Sequence, residues 1–342
     1  MKQMTRRERI AAAINREPVD RVPYALWRHF PAVDRSPAGL AQATLRFHDH
    51  YGSDFLKITP RGGYCVEAWG CVESEQVLAN GNRACASCAV KTADDWRGIR
   101  PLDPASAAGW VEQLETIVRL GFDRRIGDAP VVATVFSPLS IARKLSGDRL
   151  AADLRERPDA VAGAVDAIGE TLLRFNELAL VEGIAGIFYS IQAASGSVLD
   201  EETYARFGEP WDRRVLEALQ PRSSLTIVHC HGDRLMFPRL ARLPGHVWNW
   251  DDRLAGPALA AGAATVGGGA VCGGLDQWRT LRDGTPEAAA AEAEEAVTQT
   301  GGRGVIVAPG CVLMTNTPDA NVAAVVKALG GPLKPIPGLK PD

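Results

Sequence analysis

Short apolar runs alternate with longer amphipathic segments along most of the chain. Eight runs have the length and composition of buried strands, and they lie at 22–27, 54–60, 130–138, 186–192, 225–232, 246–252, 269–276 and 304–311. Segments with helical spacing of apolar residues, such as 151–183 and 285–301, separate these runs. Strands that alternate with helices predict a parallel sheet, and eight such units favour an α/β fold of the (β/α)8 TIM barrel type in a single domain.

The boundaries of this domain are predicted from local signals. Thr5 and Glu8 have capping-box spacing, so a helix is expected to begin near residue 5. Residues 61–129 do not reduce to one helix, and we expect an insertion there with a small hairpin of its own. The stretch 333–342 contains three prolines and is expected to be a C-terminal tail, which leaves residues 1–332 for the barrel.

Composition and charge exclude several classes of protein. The 342 residues are 46% hydrophobic and 23% charged, their net charge is -3, and no basic run resembles a nucleic-acid footprint. The first 21 residues carry charges throughout, unlike a signal peptide, and the Gly/Ala-rich stretch 256–275 is too weakly apolar for a bilayer span. We therefore expect a cytoplasmic protein that binds neither nucleic acid nor membranes.

The seven cysteines are an odd number and are expected to be reduced thiols rather than a disulfide framework. Cys85 and Cys88 form a CxxC motif, but no second CxxC follows and no βαβ pattern surrounds it. A solvated loop is therefore favoured for this motif over a redox or zinc role.

Polar and titratable residues concentrate where the predicted strands end, which is where a TIM barrel carries its chemistry. They are Arg28, His29, Thr59, Ser137, Gln192, His229, His231, Asn249, Asp251, Asp252, Asp276 and Cys311. Such a concentration at one end of an apolar scaffold is the pattern expected of an active-site mouth.

Two of these residues suggest a metal site. Side chains alternate along a strand, so His229 and His231 share one face, roughly 6.5 Å apart along the strand, and Cys230 points to the other. Cys311 ends the last strand and can meet them across a narrow barrel. Two imidazoles and a thiolate, with a fourth position left to Asp, water or substrate, describe an open catalytic zinc site. The alternative is a hydrogen-bonded histidine pair and a structural cysteine.

The remaining polar residues are candidates for catalysis or substrate binding, each with a structural alternative. Asp251 and Asp252 are candidates for a fourth ligand or a partner of an imidazole, or for surface and capping carboxylates. Arg28, next to His29, could clamp a carboxylate or phosphate, or form an ion pair at the rim. Lys57 would be costly if buried without a partner, although its stem could reach the surface.

Seven segments carry a resemblance to a known family. They are "RVPYALWRHF", "DFLKITPRGGYCVEAWG", "FSPLSIARKLSG", "VLDEETYARFGEPW", "HCHG", "CGGLD" and "GCVLMTNTPDANV", in this order along nearly the whole chain. In order and spacing the chain resembles the uroporphyrinogen decarboxylase superfamily. That superfamily includes corrinoid-dependent methyltransferases, is related to cobalamin-independent methionine synthase, and has the (β/α)8 barrel fold.

The resemblance to the decarboxylases themselves fails at charged positions. Where they carry an aspartate that contacts the pyrrole nitrogens of the substrate, this chain has Arg61. Arg28 matches the first of their two anion-binding arginines, but Ala32 occupies the second position, and Cys311 replaces a histidine. Asp276 matches an acidic position that could orient substrate, although a helix N-cap is the alternative. Decarboxylation of a porphyrinogen is therefore disfavoured.

The methyltransferase branch fits better. Its zinc is bound by a His-x-Cys pair and a distant Cys; His229 and Cys311 match, whereas His231 replaces the near Cys. In that branch zinc lowers the pKa of the acceptor thiol. An imidazole in place of a thiolate makes the site less negative, and hence a stronger Lewis acid. The chain has no D-x-H-x-x-G motif, so the resemblance implies a corrinoid carried by a separate protein.

The leading prediction is therefore a zinc-dependent methyltransferase with a small-molecule substrate, contacted by Lys57, Arg61, Gln192 and Asn249. The first alternative is a metal-independent decarboxylase of a tetrapyrrole or small carboxylic acid that relies on Arg28. The second is a metal-dependent hydrolase, since HxH also occurs on the strands of such barrels. The sequence does not distinguish a monomer from a homodimer.

Overall fold

A parallel sheet of seven strands forms the centre of the computed structural model, which describes residues 2–335. The strands of this sheet and of a separate hairpin are, in chain order, β1 (Leu56–Ile58), β2 (Val72–Val77), β3 (Arg83–Ser87), β4 (Val131–Phe136), β5 (Gly186–Ile191), β6 (Ile227–Cys230), β7 (Val247–Trp250), β8 (Ala270–Leu275) and β9 (Val305–Pro309). In the parallel sheet their order is β1-β4-β5-β6-β7-β8-β9, while β2 and β3 form a separate antiparallel hairpin within residues 61–129.

The first predicted run, at 22–27, is not a regular strand. It lies between the two edges of the sheet: Tyr24 forms a parallel bridge with Val307, and its carbonyl accepts a hydrogen bond from Asp54 N at 2.8 Å. Pro23 has no N–H to donate, and the N–H of Tyr24 is bonded to the Asp54 carboxylate at 2.9 Å instead of to a strand. The α/β class and parallel sheet are thus confirmed, with seven regular strands where eight were predicted.

Helices surround the sheet and connect its strands. They are α1 (Arg6–Ile14), α2 (Pro37–Tyr51), α3 (Trp110–Gly121), α4 (Pro138–Ser146), α5 (Leu150–Glu156), α6 (Pro158–Val181), α7 (Glu201–Phe207), α8 (Glu209–Leu219), α9 (Phe237–Leu240), α10 (Leu259–Val266), α11 (Pro286–Thr300) and α12 (Asp319–Ala328). The predicted capping box at Thr5 and Glu8 is present. Of the predicted tail at 333–342, residues 336–342 lie outside the described part of the chain.

Two apolar clusters occupy the two faces of the curled sheet. The outer face packs against the helices and includes Cys230 and Trp250, whereas the inner cluster includes Trp27 and Phe188. The ring of His229 lies 4.9 Å from that of Phe188, so His229 is on the inner face, opposite Cys230, as the alternation predicts. Within residues 2–335, no helix combines the length and apolar character needed to cross a membrane.

Candidate metal centre

Three potential metal ligands converge at the carboxyl ends of β6 and β9. His229, His231 and Cys311 each offer one ligand atom, and these atoms lie within 4.8 Å of one another. The sulfur of Cys311 lies 3.7 Å from Nδ1 of His231. A tetrahedral zinc ion with bonds of 2.0–2.3 Å holds its ligand atoms roughly 3.5 Å apart. The cluster therefore has the size and the donor chemistry of an open zinc site.

A hydrogen-bond network sets the tautomer of His229. The amide nitrogen of Asn249 donates to the carbonyls of Cys272 at 2.7 Å and Pro309 at 3.2 Å, which leaves its Oδ1 as an acceptor. That oxygen lies 2.6 Å from Nδ1 of His229, so Nδ1 carries the proton. Nε2 then keeps a free lone pair, which is the state a metal ligand needs.

The surroundings also favour the metal-binding protonation states of the other two residues. Burial, followed by the charges of Lys144 and Arg143, lowers the pKa of His231 to about 4, so its ring is neutral at physiological pH. Burial alone would raise the pKa of Cys311, but its contact with His229 and the charge of Lys57 lower it below the usual value. A neutral imidazole and a thiolate are the forms that bind zinc.

No carboxylate among residues 2–335 joins this cluster. Asp251 accepts hydrogen bonds from Gln277 at 2.7 Å and from the N–H of Leu254 at 3.1 Å. Asp252 accepts one from the N–H of Gly274 at 2.8 Å. Both predicted fourth ligands are thus engaged elsewhere in the loops, and neither joins the three candidate ligands.

Asp276 is engaged in its own loop. It accepts hydrogen bonds from the N–H groups of Trp278 at 2.8 Å and Arg279 at 2.9 Å, and from the Arg279 side chain at 2.6 Å. These contacts close a turn at residues 277–283 and not a helix N-cap, since the next helix, α11, begins at Pro286.

Arg28 and His29, predicted as catalytic, point in different directions. The guanidinium of Arg28 donates to the carbonyl of Thr315 at 2.7 Å, so it ties the rim to the loop after β9. His29 is buried, and Nδ1 of its ring has no hydrogen-bond partner within the described chain. Burial, then the charges of Lys57 and Lys144, lower the His29 pKa to about 3. His29 therefore presents a neutral, unpartnered ring nitrogen beside these two lysines.

Lys57 is a buried cation, and no carboxylate of residues 2–335 lies within ion-pair distance of it. Its ammonium donates to Oγ1 of Thr59 at 3.2 Å and lies 4.4 Å from the ring centre of Phe188. Burial lowers the Lys57 pKa to about 7, and the nearby Cys311 opposes this shift. The uncompensated charge favours a thiolate at Cys311 or an anionic group of a ligand.

A cavity of about 860 Å³ is lined by Gln192 and Arg61, but by none of the three candidate ligands. It lies next to the end of β5, where Gln192 follows Ile191, whose carbonyl accepts a hydrogen bond from the N–H of His231 at 2.9 Å. Arg61 forms ion pairs with Glu67, with Glu73 at 3.1 Å and with Glu112 at 3.3 Å. Its charge is already balanced, so its predicted role in substrate binding has no support in these contacts. Gln192 lines the cavity, in keeping with its predicted role.

Sequence reasoning missed Arg143 and Lys144, which also line this cavity. Within residues 2–335 neither one has an ion-pair partner, although both charges reach His231 and lower its pKa. Both lie in the last turn of α4, where basic residues ordinarily complement the helix dipole. The sequence alone therefore gave no reason to single them out.

Comparison with known proteins identifies the family of the chain. A model of the family described as uroporphyrinogen decarboxylase (URO-D) matches residues 5–331, so the chain belongs to that family. Methylcobamide:CoM methyltransferase MtbA of Methanosarcina mazei is 21% identical over 341 residues, covering 96% of this chain and 98% of that protein.

Solved structures share the fold. A methyltransferase from Methanosarcina mazei has a TM-score of 0.80 at 20% identity and covers 96% of this chain and 99% of its own. A B12-independent methionine synthase from Shewanella sp. W3-18-1 has a TM-score of 0.55 at 14% identity, with 93% of this chain and 94% of its own covered.

Asn249 is expected to act as a positioning residue for His229. Asn249→Leu removes the acceptor that fixes the His229 tautomer, and loss of such a partner typically lowers metal affinity about 10–100-fold. Competition with a chromophoric zinc chelator measures this change. Asn321→Leu is the matched control, because the Asn321 amide also donates to two carbonyls, those of Leu281 and Gly284, away from the centre. Equal zinc affinities in the two variants would contradict the assignment.

Proposed function

We propose that this protein is a zinc-dependent methyltransferase that moves a methyl group between a corrinoid, carried by a partner protein, and a thiol or similar acceptor. Its zinc would be held by His229, His231 and Cys311, inside a closed (β/α)8 barrel whose first strand is the bridging segment near Tyr24. The observation that carries the proposal is the convergence of these three ligand atoms within 4.8 Å. The name of the relative MtbA, a methyltransferase similar over the whole chain, supports the reaction type.

The chemistry of the site fits a thiol acceptor. Bound zinc would lower the pKa of a coordinated thiol, so that the nucleophilic thiolate prevails at neutral pH. The chain contributes the rest: Asn249 orients His229, and Phe188 with Trp27 forms an apolar floor under the ligands. This floor keeps water away from the buried side of the cluster, which strengthens electrostatic interactions there.

The cavity supports an acceptor with a negative charge. Arg143 and Lys144 supply two cations that are not balanced by ion pairs within residues 2–335, and both are near His231. A sulfonate, carboxylate or phosphate group there would offset their desolvation, while the reactive end of the same molecule reaches the ligand cluster. The cavity volume of about 860 Å³ accommodates a small organic molecule.

The same geometry disfavours the two alternatives. A decarboxylase would need Arg28 free to clamp an acid, but Arg28 is bonded to the loop after β9. A hydrolase built on HxH would need a further histidine among the ligands, but within residues 2–335 the cluster contains only His229 and His231 besides Cys311, and His29 is not part of it. His246 precedes β7 and accepts a hydrogen bond from the N–H of Thr226, at the opposite end of the strands from His229.

Methyl transfer can be tested directly with methylcobalamin and a series of thiols. The purified zinc-loaded protein should accelerate demethylation, measured by the absorbance change of the corrinoid, and removal of zinc by a chelator should abolish the acceleration until zinc is restored. Cys230→Ala serves as a control that keeps full activity, since Cys230 packs on the outer face of the sheet. Acceleration that is unchanged in chelated protein would refute the proposal.

Arg143 and Lys144 should govern the affinity for the acceptor. Replacing either by Gln is expected to raise KM for an anionic thiol about 10-fold, since a hydrogen bond to a charged group is worth about 1.5–3 kcal/mol. KM for a neutral thiol should change little. Arg119→Gln is the matched control, because Arg119 is an exposed arginine in the last turn of α3. An equal KM increase for both kinds of thiol would argue against anion recognition.

A further inference from the structure

The CxxC motif lies on the rim of the same cavity, and its two sulfurs are close together. Cys85 belongs to β3 and Cys88 follows the end of that strand, with the sulfurs 3.3 Å apart. Both side chains line the cavity of about 860 Å³. Cys85 is exposed and Cys88 is half-buried. The sequence favoured a solvated loop, but the structure places a dithiol on a hairpin beside the substrate cavity.

The pair has the arrangement of a reversible redox site. A disulfide bond is about 2.05 Å long, so closure needs the sulfurs to approach by roughly 1.3 Å. Exposed Cys85 is accessible to an oxidant, and Cys88 is placed as the resolving thiol. Burial, then the hydrogen bond to Cys85, raise the Cys88 pKa to about 12. Such a thiol is mostly protonated at neutral pH and is also a poor leaving group, so Cys88 resolves the mixed disulfide slowly and the closed disulfide is slow to reopen.

Contacts link this hairpin to the basic end of α4. The N–H of Val90 donates to the carbonyl of Leu145 at 2.9 Å, and the thiol of Cys71 contacts the carbonyl of Lys144 at 3.8 Å. The sulfur of Cys88 lies beside Gly147: a Cβ atom added to that glycine would be 3.6 Å from the sulfur. A shift of Cys88 toward Cys85 would therefore change its packing beside Gly147, directly after the helix α4 that carries Arg143 and Lys144.

We propose that Cys85 and Cys88 form a reversible disulfide that weakens binding of anionic ligands in the neighbouring cavity. In the closing reaction the two thiols lose two electrons and two protons. A low-molecular-weight disulfide accepts them and becomes two thiols: Cys85 first forms a mixed disulfide and releases one thiol, and Cys88 then displaces the second. The redox step stands independently of the enzymatic reaction, whereas the effect on binding rests on the proposed function.

Thiol labelling tests the redox step. Zinc-loaded protein is equilibrated in buffers of reduced and oxidised glutathione, unreacted thiols are alkylated, and the peptides are quantified by mass spectrometry. Cys85 and Cys88 should lose their labels together in an internal disulfide, whereas Cys88→Ser should accumulate a mixed disulfide with glutathione at Cys85. Cys311 is read out on its own peptide. Retention of both labels in the most oxidising buffer, or an unresolved glutathione adduct in the wild-type protein, would overturn the redox site.

The effect on binding is measured separately on the same samples. Direct titration with an anionic thioether, which cannot reduce a disulfide, should give a Kd at least several-fold higher for the oxidised protein than for the reduced protein, at equal zinc content. In the variant Cys85→Ser/Cys88→Ser the two conditions should give the same Kd. Equal affinities of the oxidised and reduced wild-type protein would remove the link to the cavity. Methyl transfer is not needed for either measurement, so its failure would affect only the proposed function.

Discussion

Replacing Cys311 by alanine is expected to lower the zinc affinity about 100-fold or more and to abolish methylation of thiols. A structural zinc site in a peptide is worth about 10–16 kcal/mol over four ligands, so one ligand contributes about 3 kcal/mol. Cys311 is also the only thiolate in the cluster, and its loss leaves two neutral imidazoles. Zinc content after dialysis and a chelator competition assay measure the effect.

The neighbouring cysteine provides the control for this variant. Cys230 follows His229 directly but packs on the outer face of the sheet, so Cys230→Ala removes a buried thiol of the same size without touching the cluster. It should retain one equivalent of zinc, even though a small cavity lowers its stability. If Cys311→Ala also retained zinc at full affinity, the His-His-Cys assignment would be wrong.

The second large effect concerns Lys57 and the stability of the metal-free protein. Its folded-state pKa is about 7, against an ordinary value of 10.5, because burial disfavours the charged form. Between these two pH values the unfolded chain binds more protons than the folded one, so the free energy of unfolding rises with pH. One such group contributes at most about 1.4 kcal/mol per pH unit, and it is least favourable to folding below pH 7.

Lys57→Met should remove this dependence. Urea unfolding at a series of pH values from 7 to 9 should show the wild-type protein gaining stability relative to the variant as the pH rises. The variant should be the more stable of the two at pH 7, because it buries no uncompensated charge. Lys91→Met, at an exposed position, is the control and should run parallel to the wild type. Parallel curves for wild type and Lys57→Met would contradict the lowered pKa of Lys57 in the folded protein.

Features that depend on local pattern could be predicted from the sequence. Alternation along a strand was sufficient to place His229 inside and Cys230 outside, and the apolar runs located every strand of the parallel sheet. The run that contains Tyr24 is the exception: it makes only an isolated bridge to β9, and the N–H of Tyr24 bonds to the Asp54 carboxylate, a partner that is distant in sequence.

Features that depend on register between strands could not be predicted. Asn249 was predicted to contact substrate, but it pairs directly with His229 across β6 and β7 and uses its amide to orient that ring. The ion pairs of Arg61 with three glutamates arise from the fold of the 61–129 segment, which has no simple sequence pattern. The place of Arg143 and Lys144 in the cavity depends on how α4 packs at the mouth of the sheet, which no local sequence pattern indicates.

X-ray absorption at the zinc edge is the measurement that tests the central claim most directly. For the zinc-loaded protein the account predicts a first shell with two imidazole nitrogens and one sulfur, and a second sulfur after an acceptor thiol is added. The spectrum of Cys311→Ala should lose the protein-derived sulfur. A shell composed only of oxygen and nitrogen, unchanged by the thiol and by Cys311→Ala, would show that these side chains do not form the proposed centre.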